Sequence, residues 1–139
     1  MDRDEINRRR RERRKCPEYR RKEYIRDANT PRARATALWW DIKRRAKKKK
    51  LEFNLTKDWI EERLEQCSVT GLELELVRDG TNRTHPFAPS IDRINPEEGY
   101  TIDNCQVVCW MYNACRNYHD HEDVIRFARA VVRRADKKL

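Results

Sequence analysis

No stretch of this 139-residue chain approaches the roughly 18 consecutive apolar residues that a bilayer-spanning helix needs, so a helical membrane protein is not expected. The N-terminal charges are followed by no apolar run that would serve as a signal peptide, and the expected compartment is the cytoplasm. Hydrophobic residues make up only 37% of the chain against 41% charged, which implies a modest core and argues against a large enclosed pocket. There is no internal repeat and no Gly/Ser-rich linker. The five cysteines are an odd number, and in a reducing compartment none has to pair. The sequons at Asn54 and Asn82 are then without consequence.

What the chain does have is positive charge, unevenly spread. Residues 1–50 carry 21 Lys and Arg against 8 Asp and Glu, whereas residues 51–139 carry 12 against 16. Such an excess binds phosphates by releasing counterions, with little regard to base sequence, and makes nucleic acid the leading partner. An anionic membrane is not the expected partner, because residues 1–28 offer only Ile6, Tyr19, Tyr24 and Ile25 as sizeable apolar groups. The division suggested is a basic helical DNA-binding arm, 1–50, and a catalytic domain, 51–139. Arg8, Arg9, Arg10 and Arg11 in the arm, with Arg44, Arg45, Lys47 and Lys48 near its end, are the expected phosphate contacts.

The pattern along the chain predicts a polar run over 2–27 that is helical when laid on a phosphate backbone. A second helix starts at Thr30 as cap with Pro31 at its first position and ends in Lys47 to Lys50. Thr56 caps a third helix through Trp59, Ile60, Leu64 and Glu65. Leu72, Leu74 and Leu76 alternate with Glu73 and Glu75 as in a half-buried strand, and a polar loop covers 78–84. Strands are predicted over 88–94 and 105–110, a helix opens at Asn113, and a closing helix after Asp120 places Val124, Ala128, Val131, Val132 and Ala135 on one face. Trp39 falls on an apolar face, and the role of Trp40 is left open. The pair could also stack on unpaired bases.

Chemistry concentrates in SIDRINPEEGYTIDNCQVVCWMYNACRN, from Ser90 to Asn117. It resembles the HNH, or His-Me finger, endonucleases of phage type, with the turn Cys67-Ser68-Val69-Thr70-Gly71 as a further point of likeness. The resemblance implies an α+β fold, a ββα-metal finger with flanking helices after the basic arm. It implies a metal-dependent DNA endonuclease that nicks unless it acts as a homodimer, and a host cytoplasm if the gene belongs to a phage. It assigns Asp92, Asn113 and Asn117 as ligands of Mg²⁺ or another divalent cation such as Mn²⁺, and Asn104 as the residue tying the loop to the sheet. Oxygen ligands of that kind suit a hard cation that neutralises charge building on phosphate oxygens.

One position departs from the family. Arg93 stands where the water-activating histidine usually does, and a guanidinium cannot accept a proton at physiological pH, although it can clamp a phosphate through its planar fork of donors. His85, seven residues before Asp92, is the first alternative base, with His119 and His121 after the motif behind it. The same substitution supports a second reading, a binding module that kept the fold and lost catalysis. A basic structural protein of a phage or ribonucleoprotein particle is the third. Structural zinc is not expected, because Cys105, Cys109 and Cys115 lack Cys-x-x-Cys spacing and Cys67 stands alone.

Overall fold

The computed structural model describes residues 2–78 and 83–138; most of the polar loop expected over 78–84 therefore lies outside the described residues. The polar run expected over 2–27 forms two helices, α1 (Arg3–Lys15) and α2 (Pro17–Ala28). Pro17 forces Cys16 into an extended conformation and then occupies the first position of α2, which breaks the helix between them. Neither helix buries a side chain; ion pairs such as Arg14–Glu23, at 3.1 Å, link one to the other.

Helix α3 (Pro31–Lys49) begins where its cap predicts, with Thr30 Oγ1 accepting from the Ala33 N–H at 3.2 Å. Ala35, Ile42 and Ala46 face the core, and Trp39 packs against it with Nε1 donating to the Leu55 carbonyl at 2.7 Å. Trp40 is exposed. Helix α4 (Lys57–Glu61) is capped by Thr56, whose Oγ1 accepts from the Trp59 N–H at 3.1 Å. It stops at Glu61 instead of running to Glu65, because Arg63 and Leu64 bond to carbonyls three residues back and tighten the chain into a turn that still buries Leu64.

The strand expected over 72–76 does not form. A single bridge, Gln66 to Glu73, replaces a ladder, and the next two residues bond to different partners, Leu74 to the Glu65 carbonyl and Glu75 to that of Phe87. Leu72 is exposed while Leu74 is buried, so the alternation does not define one buried face.

The sheet has two antiparallel strands, β1 (Pro89–Arg93) and β2 (Cys105–Cys109), in a register that sets Ile91 opposite Val107 and Asp92 opposite Gln106. Ile91, Val107 and Val108 join the core with α3, α4 and Tyr112. Between the strands, the Asn104 side chain closes the loop: Nδ2 donates to the carbonyls of Asn95 (3.0 Å) and Gly99 (2.9 Å), and Oδ1 accepts from the Asn95 N–H (2.9 Å). Gly99 passes so near Glu52 that a Cβ there would lie 2.6 Å from its backbone oxygen, which only glycine tolerates.

Helix α5 (Trp110–Arg116) starts directly at the end of β2, so Asn113 lies in its middle rather than opening it, and Asn117 closes it with φ 46°. Helix α6 (His121–Asp136) follows and contacts the rest of the fold chiefly through its first two turns.

Cys105 is buried, and burial pushes its thiol up to about 12. Only Cys16 and Cys115 are exposed. An aromatic disulfide reagent at pH 8 is expected to titrate those two quickly and all five after denaturation. The folded state holds Cys105 neutral, so its contribution to stability is intact below pH 9 and is lost as pH rises toward 12. A third fast thiol in the native protein would contradict this.

Candidate active site

On β1, Ser90 and Asp92 are two residues apart and share a face, over which α5 packs. Asn113 spends both amide hydrogens on this strand, donating to Ser90 Oγ at 2.7 Å and to the Ile91 carbonyl at 3.2 Å. The acceptor oxygen Oδ1 is what remains. One turn further, Arg116 Nη1 donates to both oxygens of Asp92, at 2.7 and 2.8 Å, and to the Arg93 carbonyl at 2.6 Å. Nη2 of the same residue donates to the Ile94 carbonyl at 2.5 Å. From β2, Gln106 Nε2 donates to Asp92 Oδ2 at 2.9 Å. Asp92 and Arg116 are 4% and 5% exposed, a nearly dry ion pair at the junction of strand and helix.

A cavity of about 320 Å³ opens over this junction. Asp92, Arg93, Asn113 and Asn117 line it, and so do Arg45 and Lys49 from the last turns of α3. Arg93 Nη1 donates to the Glu98 carbonyl at 2.9 Å, and its guanidinium lies 4.8 Å from the centre of the Tyr100 ring, which leaves its other donors for a ligand. Arg45 is paired with Asp41 at 2.9 Å. One carboxylate, itself paired, thus faces three further cations, an electrostatic environment suited to an anion such as a phosphodiester.

The donor set also admits a divalent cation, within limits. A carboxylate offers about four lone-pair positions. In Asp92 three are taken, two on Oδ2 and one on Oδ1, which leaves one position on Oδ1. With the Asn113 oxygen this suits a Mg²⁺-like ion that draws most of its ligands from water and phosphate. Among the described residues no three His, Cys, Asp or Glu side chains gather into a metal-binding group.

The remaining expected residues lie elsewhere. His85 is exposed on the segment before β1; its Nδ1 accepts from the Phe87 N–H at 3.1 Å, its ring lies against Phe87, and it does not line the cavity. Asn104 is buried beneath the loop. Arg8 to Arg11 are on α1, and Arg44, Lys47 and Lys48 are on exposed faces of α3. His119 is exposed, and His121 Nδ1 meets the Tyr112 hydroxyl at 2.9 Å. The residues missed are Arg116 and Gln106, while Lys49 belongs to the run Lys47 to Lys50 for which DNA contact is expected. Arg116 sits three residues after Asn113 and so on the same helix face, a signal present in the sequence.

No family model matches the sequence, and no curated protein does. Among solved structures the chain is similar to the rare-cutting HNH restriction endonuclease PacI, with a TM-score of 0.52 and 18% sequence identity, over 75% of this chain and 80% of that one. The likeness is one of fold, and this chain shares the fold of that endonuclease. In this chain β1, β2 and α5 surround the cavity, and α3 adds basic residues at its rim.

Proposed function

We propose that the chain is a DNA endonuclease that hydrolyses phosphodiester bonds with the help of a divalent cation. The observation that carries this is the cavity lined by Asp92 and Asn113, each with an acceptor position left over, together with the cations Arg93, Arg45 and Lys49. Asp92 and Asn113, with Asn117 beside them, would hold the ion. Bound there, a divalent ion supplies charge neutralisation at the phosphate oxygens and acidifies water.

The chain's own residues do the rest. Arg93 grips the scissile phosphate through donors not used on Glu98, while Lys49 and Arg45 hold the backbone beside it. Arg116 and Gln106 fix the carboxylate of Asp92 so that it does not rotate as the substrate binds, the part outer hydrogen bonds play in metal sites. Asn104 keeps the loop carrying Pro96 and Tyr100 in place. His85 serves as proton acceptor only if the segment before β1 shifts and releases the Phe87 N–H.

The second reading, a finger that binds DNA without cutting, is favoured by Arg93 at the base position and by the charge of Arg116 on Asp92. Supercoiled plasmid at low salt separates the two. Open circles are expected with Mg²⁺ or Mn²⁺ and none with chelator, and nicking that falls in His85→Ala supports that base. Retarded plasmid that stays supercoiled under every metal would leave the binding module.

A further inference from the structure

Helix α6 is amphipathic without a partner. Val124 packs against the core, but Phe127, Val131 and Val132 are 60%, 52% and 58% exposed, and no residue of the helix is buried. With Ala128 and Ala135 these residues form one stripe on the helix, about 17 Å long from Val124 to Ala135 at 1.5 Å per residue. Three large apolar side chains side by side on an otherwise basic helix mark an interaction surface rather than scattered exposure.

We propose that this face pairs with the same face of a second copy of the chain, the two α6 helices running antiparallel about a two-fold axis. The charges beside the stripe choose this occupant. Asp123 precedes Val131 by eight residues and Arg134 follows it by three, so at 100° per residue both lie about 60–80° to the same side of it. They are eleven residues apart, near opposite ends of the stripe. In an antiparallel pair related by a two-fold axis the same flank of each helix meets its own copy, end reversed. The register that overlaps the exposed parts of the two stripes, Phe127 to Ala135, then brings Asp123 of each copy within about 8 Å, along the axis, of Arg134 of the other, a gap the two side chains together span. A parallel pair about a two-fold axis would turn this flank toward the opposite flank of the partner and leave Asp123 and Arg134 without each other. An anionic lipid surface would meet Asp123 with like charge, while the self-pair uses both signs.

An isologous contact of this kind yields a closed dimer with two fingers, and the pairing itself does not depend on what the fingers do. If they cut DNA as proposed above, the dimer makes two nicks. Sedimentation velocity on the full chain over about 1–100 µM is the test, with anionic phosphatidylserine vesicles as a separate arm. Concentration-dependent dimer of the 17.0 kDa chain is expected, abolished in Val131→Asp, whose side chain is exposed and not part of the core. Asp123→Arg and Arg134→Asp should each weaken the dimer about tenfold, and the double reversal should restore it to within about threefold. A monomer at every concentration, a dimer indifferent to Val131→Asp, single reversals without effect, or α6-dependent vesicle binding by a monomer would each overturn the proposal. Helical content by circular dichroism shows that the variants are folded, and plasmid nicking by a monomeric variant shows that the enzymatic reading stands even if pairing fails.

Discussion

Asp92→Ala is expected to lose cutting altogether and, independently, about 3–5 kcal/mol of stability, because it leaves the Arg116 guanidinium buried without its anion. That is a large share of the roughly 5–15 kcal/mol that holds a domain folded, so the alanine variant alone would confuse misfolding with lost chemistry. Moving the charge one strand over separates them. In Asp92→Asn with Gln106→Glu the pair across the strands keeps one carboxylate and one amide, now exchanged, beside Arg116. Urea melts should show much of the stability recovered. Nicking should stay down by at least about a thousandfold, near 4 kcal/mol of lost transition-state stabilisation, because the anionic oxygen no longer faces the cavity. Cutting by the exchanged variant would remove Asp92 from the chemistry and leave it a structural partner of Arg116.

The fold was legible where the determining chemistry is local. The caps at Thr30 and Thr56 rest on a side-chain oxygen and an N–H three residues on, and both form where the sequence puts them. The two strands of the sheet follow from β-forming residues on either side of a loop containing Pro96 and Gly99. What failed depended on distant partners. The leucine alternation over 72–76 has a strand's period, but no neighbouring chain runs beside it long enough to form a ladder. The start of α5 was invisible because Cys109 caps it without a side-chain hydrogen bond, leaving no cap residue to read. Arg116 was one arginine among many; only the packing of α5 across β1 turns it from a surface charge into the partner of Asp92. Lys49 reads as one of a lysine run that meets DNA, and only the docking of α3 singles it out at the cavity rim.

Deleting residues 1–28 should hardly move the melting transition, because α1 and α2 bury no side chain and Asn29, which bonds to both backbone groups of Arg78, is retained. The loss should appear in binding. Several of the cations in residues 1–28 are already spent on nearby acids, as in the pairs of Arg8 and Arg9 with Glu5 and of Lys22 with Glu18, whereas among the described residues Arg3, Arg10, Arg11, Arg13, Arg20 and Arg21 have no ion-pair partner. If those six meet phosphates, the slope of log K against log salt flattens by about 5, and affinity at low salt falls by roughly a hundredfold to a thousandfold. Phosphate contacts carry no base information, so the loss should be alike on every duplex sequence. Because Arg45, Lys49 and Arg93 remain at the cavity, the truncated chain should still nick once DNA is saturating, with the deficit in KM rather than in kcat. An unchanged salt slope would make the arm a merely solvated face. A fall in kcat at saturation would instead mean that the arm shapes the site it was thought only to feed.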